Sequence, residues 1–226
     1  SVGQAGVTLQ GHKIWDANGS FPLNNGQADL EYVTDAIVWA SSDVPGNAGA
    51  PSNYELEPVH ILNHSWGIKE VIDPVNQFYT DLNIHRLLHD AVRYSTRNKV
   101  VNVAARGNNY QPLNTISWPA CYDDNWVINV GGTGSNGGYQ SEGNGDFNTQ
   151  SMIGGNLDIA APAGANLIRT TKNNGGYESF HETSAAAAHV SGSAALMLSY
   201  LNDPLPVNSN MAPEDVEFLL EKTATD

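Results

Sequence analysis

The feature that most constrains the fold is the alternation of short apolar strands with amphipathic helices along the chain. The strand-like stretches are rich in Val, Ile and Ala, and the helical ones repeat apolar residues at helical spacing, as at Leu30, Val33 and Ile37. The predicted strands cover residues 7–16, 58–67, 99–109, 126–134 and 157–164, and the predicted helices cover 27–42, 77–97, a segment after Ser184, and 212–223. This order predicts an α/β fold, a doubly wound and mostly parallel sheet with helices on both faces.

Ser184 stands at the head of a run of small and apolar residues, in the segment "ETSAAAAHVSG" over 182–192. Alanine is the strongest helix former, so Ser184 is predicted to lie in the first turn of a buried helix. Two roles are open at this position. Ser184 is either a helix cap, or a nucleophile favoured by the positive end of the helix dipole.

Three of the predicted strands end in polar or glycine residues: Asn63-His64-Ser65, Gly107-Asn108-Asn109 and Gly131-Gly132. The carboxyl ends of parallel strands meet at one edge of a sheet, and sites gather there. We therefore expect Asn108 to face the Ser184 hydroxyl across one cleft. The Asn108 amide suits an oxyanion donor, and its alternative role is a turn residue in a left-handed conformation. The stretch 65–67 either offers backbone groups to an extended peptide or forms an ordinary turn.

The charge of the chain excludes some partners. Ten basic and 24 acidic residues give a formal net charge of −14, which argues against nucleic acid and anionic membranes. No apolar run is long enough to span a bilayer. The single Cys121 excludes an internal disulfide. The composition fits a protein that stays dispersed outside the cell.

Five motifs, in this order, resemble those of the subtilisin-like serine peptidases, the subtilases. They are "NHSWG" (63–67), "AARGN" (104–108), "WPACYDDNWVINVGG" (118–132), "LDIAAPAG" (157–164) and "ETSAAAAHVSG" (182–192). The resemblance extends from about residue 5 to the end of the chain, which implies that residues 1–226 form a partial subtilase-like peptidase domain.

The resemblance implies a serine endopeptidase that hydrolyses peptide bonds of a polypeptide substrate and is secreted. By position, Ser184 would be the nucleophile and Asn108 the oxyanion donor. The residues that would line the substrate cleft are Ser65, Trp66, Gly67, Ala105, Arg106 and Gly107. Pro119 would follow a cis peptide bond. Calcium binding is possible by resemblance, with no ligand assigned to a residue.

The chain departs from the family pattern in ways that affect function. The motifs that carry the family's triad Asp and His are absent from these 226 residues. We therefore expect the N-terminal part of the fold, with both residues, to come from a preceding segment or another chain. Glu182 stands where the family has Gly, and Ala188 where it has Pro. The alternatives are a catalytically inactive subtilase-like binding or assembly module, and an unrelated α/β binding domain.

None of the seven histidines is assigned as a catalytic base. His189 is interpreted as a packed helix residue, and His64 lies at a strand end that holds no triad member in the family. His85 and His89 have a spacing compatible with metal binding, but they belong to an amphipathic helix pattern without a metal motif. No metal ligand is therefore predicted.

Overall fold

The computed structural model describes residues 27–42, 59–71, 82–108, 115–122, 126–134, 157–164, 168–172, 174–201 and 211–225. Its helices are α1 (Gln27–Ala40), α2 (Leu82–Arg97), α3 (Thr183–Leu201) and α4 (Pro213–Thr223). Its strands are β1 (Ile61–His64), β2 (Ile68–Val71), β3 (Val101–Ala105), β4 (Thr115–Trp118), β5 (Val127–Thr133), β6 (Ile159–Pro162), β7 (Ile168–Thr171) and β8 (Tyr177–Phe180). The strand predicted over 7–16 lies outside the described residues.

A parallel four-stranded sheet in the order β1-β3-β5-β6 organises the described residues. Ile61 pairs with Val101, Val103 with Ile128, and Gly131 with Ala160. All five residues of β3 are buried, as expected for a central strand covered on both faces. The prediction of an α/β fold built on a parallel sheet is confirmed.

Helices cover both faces of this sheet, also as predicted. Because side chains alternate along a strand, Val103 and Ala104 of β3 belong to different cores. Val103 lies in the core that includes residues of α3 and α4, and Ala104 lies in the core that includes residues of α1 and α2. No helix among the described residues combines the length and the hydrophobicity needed to cross a membrane.

Two antiparallel pairs accompany the parallel sheet, and neither was expected from the sequence. β2 pairs with β4, and β7 pairs with β8, which leads into α3. The strand predicted over 126–134 is observed as β5. Gly131 and Gly132 lie inside β5, because their pairing with Ala160 and Ala161 of β6 continues the strand to Thr133. The peptide bond between Trp118 and Pro119 is cis, as the resemblance implied.

Candidate active site

Ser184 is the second residue of α3 and lies in its first turn, as the sequence predicted. The residues that follow it, Ala185, Ala186 and Ala187, are fully buried. Their small side chains allow the start of the helix to pack closely against the strands of the parallel sheet. Ser184 itself is partly exposed. The helix therefore fixes the backbone of Ser184 while its side chain remains near solvent.

The Ser184 hydroxyl does not act as the helix cap. Its Oγ donates to the backbone oxygen of Ser65 at 3.1 Å, and the Ser65 Oγ donates to the backbone oxygen of Ser184 at 2.9 Å. The first N–H of the helix, that of Thr183, is instead bonded by the Asn108 Oδ1 at 2.9 Å. The two hydrogen bonds between Ser65 and Ser184 join the helix start to the residue after β1. The side chain that caps the helix is that of Asn108.

Asn108 follows β3 and is held by three hydrogen bonds to the two residues before Ser184. Its Oδ1 accepts from the Thr183 N–H at 2.9 Å and from the Thr183 Oγ1 at 2.7 Å, and its Nδ2 donates to the Glu182 Oε2 at 2.6 Å. The Gly107 N–H also donates to the Thr183 Oγ1, at 3.1 Å. Gly107, with φ of 111°, takes the left-handed conformation, and Asn108 does not. The interpretation of Asn108 as a left-handed turn residue is therefore wrong.

The ends of β1 and β3 both reach the start of α3, through Ser65 and Asn108. This is the meeting of strand ends that a parallel sheet predicts. That the Asn108 amide and the Ser184 hydroxyl face one another across a cleft stays a prediction.

Glu182 has φ of 78°, a conformation that residues other than glycine adopt only when their surroundings enforce it. Its carboxylate lies between Asn108 and the ring of His181, whose Nδ1 is 3.8 Å from the Glu182 Oε1. The sequence marked Glu182 as a departure from the family but gave no sign of its bond to Asn108. Residues 74 positions apart make that contact, so only the fold reveals it.

The predicted cleft-lining residues divide into two groups. Ser65, Trp66, Gly67 and Gly107 are partly or fully exposed. Ala105 and Arg106 are buried, with 5% and 4% of their surface exposed. Ala105 packs in the core beneath α3, and burial therefore leaves neither of these two side chains available to line an open cleft.

Gly67 lies so close to Ser117 and Trp118 of β4 that a larger residue would not fit. A Cβ atom added there would collide with the Ser117 Oγ and would lie 3.3 Å from the backbone oxygen of Trp118. The lack of a side chain lets the segment after β1 pass tightly over the end of β4.

Of two histidines considered as possible bases, His64 ends β1, as the sequence suggested, whereas His189 is not packed as it was interpreted to be. His64 is 3% exposed, and its Nε2 bonds to the Asn102 Oδ1 at 3.1 Å. Burial lowers the pKa of His64 from 6.5 to about 4, although the Asn102 hydrogen bond opposes this shift. His189, interpreted as a packed residue, is exposed, and its Nδ1 bonds to the backbone oxygen of Ala185 at 2.8 Å.

A cluster of three carboxylates that the sequence did not predict brings Asp158, the residue before β6, close to two residues of α4. Oxygen atoms of Asp158, Glu217 and Glu221 lie within 4.8 Å of one another. Burial, and then the charges of Asp158, Glu221 and Glu214, raise the pKa of Glu217 from 4.5 to about 7. The pKa of Asp158 is also raised, chiefly by burial. Carboxylates in such proximity are donors that suit a hard cation such as Ca²⁺.

The fold is an α/β fold in which two parallel strands end beside a serine at the start of a helix. This is an arrangement compatible with an enzyme that uses a serine nucleophile. The chain belongs to the Subtilase family, whose model matches residues 8–226.

Two relatives illustrate the likeness. Subtilisin DY of Bacillus licheniformis is 32% identical over 177 residues, which are 72% of this chain and 60% of that protein. Alkaline elastase YaB of Bacillus sp. (strain YaB) is 34% identical over 201 residues, which are 87% of this chain and 40% of that protein. The chain thus spans about half the length of these relatives.

Solved structures agree with the fold. The nisin leader peptidase NisP from Lactococcus lactis matches with a TM-score of 0.62 at 22% identity, over 87% of this chain and 58% of that one. A cold-adapted subtilisin-like serine proteinase matches with a TM-score of 0.55 at 25% identity, over 87% of this chain and 55% of that one.

Proposed function

We propose that this chain supplies the nucleophile and the oxyanion donor of a secreted serine endopeptidase that cleaves polypeptides. The observation that carries the proposal is the placement of Ser184. Ser184 lies in the first turn of α3, and its hydroxyl does not cap the helix. The two residues before it, Glu182 and Thr183, both form hydrogen bonds to Asn108. The membership of the Subtilase family supports the same chemistry.

In the proposed reaction the Ser184 Oγ attacks the carbonyl carbon of the scissile peptide. The Oγ proton passes to a base, the C–N bond breaks, and the amine leaves with that proton while an acyl-serine ester forms. Water then hydrolyses the ester. The Asn108 Nδ2 and the backbone N–H of Ser184 would stabilise the oxyanion that precedes each bond cleavage, since the neighbouring N–H groups of Thr183 and Ala185 bond within the protein.

The base and its orienting carboxylate are proposed to come from a segment outside this chain. His64 is turned into the core and bonded to Asn102, so it is not a candidate for the base. The substrate backbone is proposed to lie along Ser65, Trp66, Gly67 and Gly107, where the chain is partly exposed at the strand ends. The contribution of Ala105 and Arg106 would be limited to their backbone.

Calcium is a further proposal, founded on the family resemblance. The described donors that fit it are Asp158, Glu217 and Glu221. Titration with Ca²⁺ in a calorimeter, with Glu217→Gln as the comparison, tests this assignment. The assignment is supported if the wild type releases or absorbs heat on binding Ca²⁺ and Glu217→Gln does not. Equal heats in the two proteins would contradict the assignment.

The second candidate function is a catalytically inactive binding or assembly module. The bond between the Glu182 carboxylate and the Asn108 amide favours it, because a negative charge at the oxyanion donor opposes catalysis.

The test is hydrolysis of an unfolded protein substrate by the full-length protein and by Ser184→Ala. The peptidase should cleave with a pH dependence that reports a base titrating near neutrality, and Ser184→Ala should not cleave. Ser193→Ala is the matched control, because its hydroxyl bonds to the backbone of His189 on the same helix. Binding of the substrate without cleavage by the wild type would favour the inactive module.

A further inference from the structure

The Asn108 side chain is fixed in one orientation by its neighbours. Its Oδ1 accepts two hydrogen bonds from Thr183, one from the backbone N–H and one from the Oγ1. A flipped amide would place its NH₂ group against the Thr183 N–H, which is also a donor. The Nδ2 must therefore point to the opposite side, where the Glu182 carboxylate accepts its hydrogen bond.

The Asn108 Nδ2 donates to the Glu182 carboxylate at 2.6 Å. Hydrogen bonds to an ionised acceptor are stronger than those between neutral groups. The backbone of Glu182 has φ of 78°, so the protein holds this residue in a conformation that glycine would adopt more easily. The side chain of Glu182 is therefore present at a conformational cost that glycine would not carry.

The charge of Glu182 has a consequence for the reaction proposed above. An oxyanion formed at Ser184 needs the Asn108 Nδ2 as its donor, and a carboxylate already bonded to that donor competes for it and repels the new negative charge. The Glu182 carboxylate therefore destabilises the oxyanion in both cases, whether the oxyanion displaces the carboxylate or both accept hydrogen bonds from the same amide.

We propose that Glu182 is an autoinhibitory residue, whose carboxylate occupies the oxyanion donor Asn108 until the substrate or another group displaces it. This inference rests on the proposed function, because the donor role of Asn108 belongs to it. It differs from the inactive-module alternative in one respect, since the site is competent once the carboxylate is removed.

The first test observes the contact itself. In the full-length protein labelled with ¹⁵N, Glu182→Gln should shift the side-chain amide signals of Asn108, because a neutral acceptor replaces a charged one. Glu178→Gln is the matched control, since Glu178 lies exposed on β8 and its loss of charge should leave those signals in place. Unchanged Asn108 signals in Glu182→Gln would overturn the proposal.

The second test measures the affinity for a peptide boronic acid, which forms a tetrahedral anionic adduct with a serine. Glu182→Gly should bind it about 10- to 100-fold more tightly than the wild type, which corresponds to the loss of one charge-assisted hydrogen bond in the free protein. Glu182→Gln should fall between them. In an Asn108→Ala background the gain from Glu182→Gly should shrink, because the donor is gone.

The outcomes separate this inference from the proposed function. Equal binding by the wild type and Glu182→Gly overturns autoinhibition and leaves the peptidase proposal intact. Weaker binding by Glu182→Gly overturns it as well, because Glu182 would then be a residue that positions Asn108. No binding by any variant contradicts the peptidase proposal and, with it, the inhibitory role of Glu182. Glu182→Gly relieves an unfavourable φ, so failure to fold is not expected to obscure the result.

Discussion

Two polar clusters next to the parallel sheet contain similar residues and differ in where they lie. The site cluster, made of Ser65, Asn108, Glu182, Thr183 and Ser184, joins strand ends to the start of α3, and most of its members are partly exposed. The buried cluster, made of His64, Ser95, Thr96 and Asn102, joins α2 to β1 and β3 and is buried.

The comparison teaches that residue type alone does not identify a site. Asn102 and Asn108 both lie in or just after β3 and both make several hydrogen bonds. Asn102 bonds to His64, Ser95 and Thr96 in the core. Asn108 bonds to a helix start beyond the end of β3, where it is partly exposed. Position relative to the strand end therefore separates a structural amide from a candidate catalytic one.

The largest expected effect distinguishes the serines of the two clusters. Ser184→Ala should lower the turnover of the full-length protein by about 10⁶-fold, the loss measured when a subtilisin loses its nucleophile, and should leave stability nearly unchanged. Ser95→Ala should do the reverse and lower the free energy of unfolding by about 1–3 kcal/mol, because it removes a buried partner of Asn102. Peptide hydrolysis and urea unfolding of both variants provide the check. Loss of activity in Ser95→Ala with a normal fold would break the distinction.

The second prediction compares the two asparagines. Asn108→Leu should lower turnover by about 10²–10³-fold, the range known for the oxyanion asparagine of a subtilisin. Asn102→Leu should act on stability instead, since it leaves the buried His64 N–H without its acceptor. Steady-state kinetics and denaturant unfolding separate the two effects. Equal kinetic losses in folded Asn108→Leu and Asn102→Leu would contradict the account.

Sequence reasoning found the parallel strands and the four helices of the described residues, because long apolar or periodic stretches carry a strong signal, as in the helix predicted over 212–223 and observed at Pro213–Thr223. It missed β2, β4, β7 and β8. These strands are four residues each, and all of β8 is exposed, so no hydrophobic alternation marks it.

The candidate site was partly accessible from the sequence. Ser184 and Asn108 could be predicted because a helix start and a strand end have local signatures. The contact of Asn108 with Glu182 and the burial of Arg106 could not, because both depend on how distant segments pack.

The third prediction concerns the acid sensitivity of the buried cluster. The folded protein holds the pKa of His64 at about 4, below its ordinary value of 6.5, so between these values the unfolded chain binds a proton that the folded one does not. The free energy of unfolding should therefore fall as the pH drops from 6.5 to 4, by at most about 1.4 kcal/mol per pH unit from this residue. Urea unfolding across this range should show a weaker slope in His64→Gln than in the wild type. The exposed His189→Gln is the control, and an unchanged slope in His64→Gln would contradict the prediction.

The smallest expected effect has the opposite sign. The pKa of Glu217 is raised from 4.5 to about 7, so the folded protein keeps a proton that the unfolded chain has lost. Stability from this residue should decline as the pH rises from 4.5 to 7 and should then stay level. Because Glu217 is only half-buried, the slope should be well below that of His64. Glu217→Gln should remove the decline in the same unfolding series, whereas the exposed Glu178→Gln should not. A decline that persists in Glu217→Gln would refute the assignment.

The measurement that tests the central claim most directly is labelling of the full-length protein with a serine-directed fluorophosphonate, followed by mapping of the adduct by mass spectrometry. We expect the adduct on Ser184, lost in Ser184→Ala and retained in Ser193→Ala, whose hydroxyl lies on the same helix and bonds to His189. An adduct on another serine would contradict the account, as would a Ser184 that stays unlabelled in both the folded wild type and Glu182→Gly.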